Sequence, residues 1–115
     1  MEFVVQEREN IQIISVRCDI VVDNVDELKK LLADLLDTGR VCIVIDMGAV
    51  NYIDSAGLAI LAGRLNEFRK KKGDLRLASM GKKVREIFDV TFLSSLFKIY
   101  AGVEEACRDF STPAL

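Results

Sequence analysis

The stretch that decides the fold is Val41-Cys42-Ile43-Val44-Ile45-Asp46, followed closely by Asn51-Tyr52-Ile53-Asp54-Ser55-Ala56-Gly57-Leu58. The first run is apolar and rich in β-branched residues, which is typical of a strand buried on both faces. After the second run, Leu61, Leu65 and Phe68 continue from Leu58 at helical spacing. The stretch therefore predicts a central strand, a short loop and a packed helix, in that order.

Asp54 and Ser55 stand where this helix is predicted to begin. A helix start presents unpaired backbone N–H groups and a partial positive charge. Side-chain oxygens are favoured there as caps, and capping alone would explain both residues. A phosphate attached to the Ser55 hydroxyl would also be stabilised at this position. The residues by themselves leave both interpretations open.

The composition predicts one domain with a substantial core. The chain has 115 residues, half of them hydrophobic, and a formal net charge of −2, which does not indicate nucleic acid as a partner. We expect neither a signal peptide nor membrane insertion, because no stretch has the required pattern or length. The three cysteines, Cys18, Cys42 and Cys107, lack metal-like and redox-like spacing, which favours a cytoplasmic location.

The absence of histidine removes several kinds of chemistry. Without it the chain cannot form Ser-His-Asp or Cys-His catalytic arrangements, histidine phosphotransfer sites or histidine metal ligands. Gly57 and Gly63 do not fit either glycine-rich phosphate-binding pattern. No carboxylates are paired at catalytic spacing. We therefore expect no independent enzyme, no cofactor and no metal site.

Patterns along the rest of the chain complete an alternation of strands and helices. Strands are predicted at residues 2–7, 11–17, 41–46, 75–78 and 96–100, with a hairpin turn at residues 8–10. Helices are predicted from Asn24 to Gly39, from Ser55 to about Lys72, from Gly81 onwards, and from Gly102 to about Phe110. The order ββαβαβαβα implies a mixed α/β sheet with an N-terminal antiparallel hairpin, then parallel strands, packed with about four helices. The domain is predicted to span residues 1–110, and residues 111–115 are predicted to form a frayed tail.

Local signals predict helix ends and core positions. Asn24 is predicted to cap the first helix with Glu27 as its capping-box partner, and Gly39 and Gly73 are predicted to end helices. Gly63, inside the second helix, either packs closely on the sheet or lets a partner approach. The residues expected to be largely buried are Ile43, Ile45, Leu61 and Leu65.

Two predicted loops share one edge of the sheet. Functional loops of parallel sheets gather at the carboxyl ends of the strands, and residues 51–55 and 79–82 both follow such ends. Lys82 and Lys83 could help to hold a phosphate there, or they could simply be solvated residues early in the third helix.

The motif Asp54-Ser55-Ala56-Gly57-Leu58 resembles that of STAS domains, specifically of the anti-sigma factor antagonists. In that motif an Asp precedes a Ser or Thr, then a small residue, a Gly and a hydrophobic residue. The resemblance covers almost the whole chain, including the runs at residues 84–89 and 96–100. The chain departs from the family at Ala56, where many members carry a second Ser or Thr. It also departs at Cys18-Asp19-Ile20-Val21, which lacks a Gly and a final Asp, and in three extra residues around 92–95.

The resemblance implies an anti-sigma factor antagonist. Its unphosphorylated form would bind an anti-sigma factor that is also a serine kinase, and sigma factor would be released. Phosphorylation of Ser55 by that kinase would switch binding off, and a serine phosphatase is a further implied partner. The residues implied to contact the partner are Asp54, Ser55, Ala56, Gly57, Leu58, Ser79, Met80, Gly81 and Lys82.

Two other interpretations compete with this one. STAS domains also occur as regulatory subunits of lipid or anion transporters, and the Asp-Ser-Ala-Gly-Leu-Ala run fits that alternative too. A two-component receiver is suggested by Asp19, Asp46 and Asp54. A receiver needs an acidic pair after its first strand, however, and this chain begins with a hairpin, so that interpretation does not fit.

Overall fold

The computed structural model describes residues 2–111, with only the backbone of Ser111 at the end. The strands are β1 Phe3–Arg8, β2 Ile11–Val16, β3 Cys42–Asp46, β4 Asp74–Ala78 and β5 Ile99–Tyr100. The helices are α1 Val25–Asp37, α2 Ser55–Lys70, α3 Lys82–Val90 and α4 Val103–Ser111, with a 3-10 turn at Leu93–Ser95. This is the predicted order of elements. Of the predicted tail, residues 112–115 lie outside the described residues.

The five strands form one sheet in the order β1-β2-β3-β4-β5, so β3 lies at its centre. β1 pairs with β2 antiparallel, and every other neighbouring pair is parallel. The predicted mixed sheet is therefore confirmed. The β1–β2 turn is made by Glu9 and Asn10, whose φ angles of 50° and 69° are both left-handed, as a tight primed hairpin turn requires.

The core lies on both faces of the sheet because β3 alternates between them. Ile43 and Ile45 face the larger cluster, which α1, α2 and α3 cover, whereas Val44 faces a smaller cluster under α4. Leu61 and Leu65 of α2 reach the larger cluster. All four residues predicted for the core are at most 3% exposed, which confirms that prediction.

The predicted capping box at the start of α1 is wrong. Asn24 is the N-cap residue, but its side chain makes no hydrogen bond to the helix. Its Oδ1 accepts from the Val21 backbone N–H at 3.0 Å, and its Nδ2 donates to the Asp19 carbonyl at 2.7 Å. The Asn24 amide therefore stabilises the loop before the helix, and these bonds replace the one it would make as a cap.

Glycine ends one helix as predicted but not the other. Gly39 follows α1 with φ +76°, the left-handed conformation that glycine adopts most easily. After α2 that conformation belongs to Lys72, with φ 66°, and not to Gly73. Gly73 is needed for another reason: a Cβ at this position would lie 2.0 Å from the Val41 carbonyl oxygen.

The last strand is shorter than the prediction of residues 96–100. Ile99 and Tyr100 pair with β4, whereas residues 96–98 lie between the 3-10 turn at Leu93–Ser95 and the strand. Phe92 enters that turn with φ 62° and is 81% exposed, so the turn begins at the surface.

We expect Leu61→Ala to lower the free energy of unfolding by about 2–5 kcal/mol, because a fully buried leucine leaves a cavity when truncated. Urea denaturation measures this loss. Asn66→Ala, at an exposed position of the same helix, is the control and should change stability by no more than about 0.5 kcal/mol. A Leu61→Ala loss as small as the control's would contradict the packing described here.

Candidate functional site

The candidate site lies at the edge where β3 and β4 end. The loops that follow these strands begin side by side, since the Met47 backbone N–H donates to the Ala78 carbonyl at 2.8 Å. Farther along, Val50 and Asn51 line a recess of about 180 Å³ with residues 81–84. The two loops predicted to share this edge are therefore neighbours.

Asp54 is the N-cap residue of α2 and does more than cap it. Its Oδ1 accepts from the Gly57 backbone N–H at 3.0 Å, the usual N-cap bond. Its Oδ2 accepts from the backbone N–H of Val22, also at 3.0 Å. These bonds, from Gly57 first and Val22 second, lower the pKa of the Asp54 carboxyl below its usual range. One carboxylate thus joins the start of α2 to the loop after β2.

Ser55 is the first residue of α2 and is exposed. Because Asp54 provides the cap, the Ser55 hydroxyl is not needed for that purpose. The side chain stands in solvent at the positive end of a 16-residue helix. This is a position that a second protein can reach.

The three motif residues after Ser55 connect the site to the core. Gly57 is required by space, since a Cβ there would lie 2.7 Å from Ile53 Cγ1 and 2.8 Å from the Ile20 carbonyl oxygen. Leu58 is only 8% exposed and belongs to the core cluster. Ala56 is half-buried. Gly57 and Leu58 therefore pack against the core within one turn of the exposed serine.

Asp19 completes the site, although the motif that predicts the contact residues does not include it. Its Oδ1 accepts from the backbone N–H groups of Asn51 at 2.9 Å and Tyr52 at 3.1 Å. Asp19 therefore holds the loop that contains Asp54, while Asp54 holds the loop that contains Asp19. We call this pair of carboxylates the reciprocal clamp. Between them, Ile20 and Ile53 form an isolated parallel bridge.

Two exposed apolar side chains beside the clamp were also missed. Val22 is 66% exposed and Tyr52 is 51% exposed. Each has its backbone N–H bound by a clamp carboxylate. An apolar residue in a loop gives no signal in the sequence that it will be held in solvent.

The second loop is only partly exposed, and two exposed lysines follow it. Ser79 is half-buried with a left-handed φ of 62°, and Met80 packs against the core. Gly81 is the exposed N-cap of α3, and Lys82 and Lys83 are exposed in its first turn. Of the predicted contact residues in this loop, Gly81 and Lys82 are thus the ones open to solvent.

The third aspartate of this edge is also bound to the backbone. Asp46 Oδ1 accepts from the Gly48 N–H at 3.0 Å. Within residues 2–111 no group of three or more cysteine, aspartate or glutamate side chains is arranged to hold a metal ion. The same part of the chain contains no helix with the length and apolar character to cross a membrane.

Comparison with known proteins gives consistent results. A family model described as STAS domain matches residues 2–106. BtrV of Bordetella bronchiseptica, provisionally described as an anti-sigma factor antagonist, is 33% identical over 89 residues, which cover 77% of each chain. The anti-sigma-B factor antagonist of Bacillus subtilis is 28% identical over 103 residues, covering 87% of this chain and 91% of the relative. A Thermotoga maritima crystal structure, of a protein with the same provisional description as BtrV, superposes with a TM-score of 0.91 at 24% identity, covering 96% of this chain and 95% of that one.

Two glycines of α2 provide a matched test of the site's packing. Gly57→Ala should lower the free energy of unfolding by about 1–3 kcal/mol, because the added methyl meets Ile20 and Ile53. Gly63→Ala should raise it by about 0.5–1 kcal/mol, since no atom lies within 4 Å of a Cβ there and alanine favours a helix interior. Thermal or urea unfolding of both variants gives the comparison. Equal effects of the two substitutions would show that Gly57 is not packed as described.

The open space at Gly63 also removes one of its two predicted roles. The residue is exposed, so it does not provide close packing on the sheet.

The lowered pKa of Asp54 predicts a dependence of stability on pH. The folded-state pKa lies below the ordinary value of 3.8, so the contribution of Asp54 is present above that pH and is lost as the pH falls through the folded value. Asp54→Asn removes this contribution. We expect the stability difference between wild type and Asp54→Asn to be larger at about pH 6 than at about pH 3. Urea denaturation at both pH values measures it, and a constant difference would contradict the clamp's dependence on charge.

Proposed function

The chain belongs to the STAS domain family, and from this membership we propose that it is an anti-sigma factor antagonist switched by phosphorylation of Ser55. The unphosphorylated chain binds an anti-sigma factor, and sigma factor is released. The observation that carries the proposal is the exposed Ser55 at the first position of α2, where Asp54 already serves as the cap. The relatives named as anti-sigma factor antagonists support it.

The phosphoryl transfer uses one group of this chain, the Ser55 hydroxyl. Its oxygen bonds to the γ-phosphorus of ATP, the bond from that phosphorus to the β–γ bridging oxygen breaks, and ADP leaves. The kinase supplies the Mg²⁺ site and the base that accepts the hydroxyl proton. The anti-sigma factor is that kinase in this proposal. A serine phosphatase restores the hydroxyl by hydrolysing the phosphoserine with water, which releases inorganic phosphate. The chain itself is a binding module and not the catalyst.

The modified serine changes the surface and leaves the core intact. A phosphoserine carries about −1.5 to −2 charges at neutral pH. The start of α2 already holds the Asp54 carboxylate, which occupies the Gly57 N–H. The phosphate therefore stays on the solvent side of the helix start, beside a like charge. A partner surface that covers Ser55 would have to desolvate this dianion, so binding fails.

Two basic side chains line the recess between the two loops. Lys82 and Lys83 begin α3 next to Val50 and Asn51. In this proposal they attract the phosphates of the incoming ATP toward the serine, as point charges at a helix start.

We expect Ser55→Ala to keep anti-sigma factor binding and to lose phosphorylation, because the acceptor oxygen is gone and the backbone of the site is unchanged. The measurement mixes each chain with the candidate anti-sigma factor kinase and ATP, then locates the added phosphoryl group by peptide mass spectrometry. Ser95→Ala, at an exposed serine in the 3-10 turn, is the control and should be phosphorylated like the wild type.

Phosphate on another residue, or full binding by the Ser55 phosphoprotein, would reject this mechanism. Either result would favour the alternative of a regulatory subunit of a lipid or anion transporter.

A further inference from the structure

The two exposed apolar side chains at the clamp have the features of a further contact site. Large apolar residues in the described part of the chain are exposed in two regions, apart from Val5 at the sheet edge. Val90, Phe92 and Leu96 lie at the end of α3 and in the turn after it, and nothing in the structure indicates what would cover them. Val22 and Tyr52 lie beside Ser55, where a partner is already proposed.

The backbones that carry Val22 and Tyr52 are held together. The Ile20 N–H donates to the Tyr52 carbonyl at 3.1 Å, and the Asp54 N–H donates to the Ile20 carbonyl at 3.1 Å. The reciprocal clamp adds the bonds from Val22 to Asp54 and from Tyr52 to Asp19. Both side chains therefore project from a backbone fixed on each side by hydrogen bonds.

Such an arrangement lowers the cost of binding. Association loses affinity when loops must be ordered, and this loop pair is ordered before a partner arrives. Tyrosine is enriched among the residues that dominate interface energies, because its ring buries a large area with few rotatable bonds. Exposed apolar side chains on a rigid backbone thus have the properties of interface anchors.

We propose that Tyr52 and Val22 are the apolar anchors of the chain's contact with its anti-sigma factor, which receives the Tyr52 ring in an apolar pocket. This inference rests on the proposed function, because it uses the partner that Ser55 serves. The anchors adjoin Ser55 through Asp54, which is bonded to Val22 and directly precedes the serine. A contact desolvated around the Tyr52 ring would extend to Ser55, and a phosphate there would disrupt it.

The test measures binding of the unphosphorylated chain to the anti-sigma factor by isothermal titration calorimetry. Tyr52→Ala should raise the dissociation constant by about thirtyfold or more, which is the effect of losing a central anchor. Val22→Ala should raise it by about three- to tenfold, in proportion to the two methyl groups removed. Tyr52→Phe should bind like the wild type, because it keeps the ring.

Phe92→Ala and Val90→Ala are matched controls, since they truncate another aromatic residue and another valine at exposed positions outside the site. Both should bind within about twofold of the wild type. All four alanine variants should keep the wild-type unfolding temperature, as their side chains lie mainly in solvent. If the wild type does not bind the anti-sigma factor, the proposed function fails. If the wild type binds and Tyr52→Ala binds equally well, the proposed function stands and the anchor assignment is overturned.

A second readout does not need a variant. The chain has two tyrosines, and tetranitromethane nitrates the phenolate form. Tyr52 is half-exposed, whereas burial and a hydrogen bond with Asp109 raise the pKa of Tyr100 to about 12, so nitration favours Tyr52. The anti-sigma factor should protect Tyr52 from nitration. Equal nitration in the free and bound chain would overturn the assignment.

Discussion

The candidate site depends on the need to satisfy backbone N–H groups where the chain leaves the sheet. At the ends of β2 and β3 the ladder stops, and the loops that follow carry donors that no strand can pair. Asp19 and Asp54 supply the missing acceptors, each for the other's loop. The two loops thereby become one rigid unit around the Ile20–Ile53 bridge. Gly57 lets the first turn of α2 approach this bridge, so the position of Ser55 follows from the same constraint.

The elements set by long apolar patterns could be predicted from the sequence. β3 was placed correctly because it is a continuous apolar run, and α2 because its apolar residues recur at helical spacing. The capping box at Asn24 failed because the side chain has closer partners in the loop before the helix. After α2 the residue with a left-handed φ is Lys72. Gly73 is needed instead because the backbone at this position lies very close to Val41. These outcomes depend on neighbours that the local sequence does not contain.

The same limit applies to the site. Ser55 and its motif were predicted as contact residues because they form one contiguous run. Asp19 was not, since its partners Asn51 and Tyr52 lie 32 and 33 residues away and meet it only in the folded chain. The available signals were its position in the run that departs from the family motif and its place among the three aspartates that suggest a receiver. Tyr52 stood next to the motif, but only the fold shows that its backbone is fixed while its side chain remains in solvent.

The fold separates its buried charges from the surface that would be switched. Arg76 is only 7% exposed and lies beneath α4, where Asp74 accepts its Nε–H at 3.1 Å and Phe110 covers the guanidinium at 3.6 Å. A buried ion pair of this kind is sensitive to the loss of either partner. Ser55 begins the helix that packs on the opposite face of the sheet, in solvent. A phosphate on Ser55 would therefore add no charge to the buried Arg76–Asp74 pair. Such a phosphate could be gained or lost at the surface while the buried interactions that stabilise the fold stay unchanged.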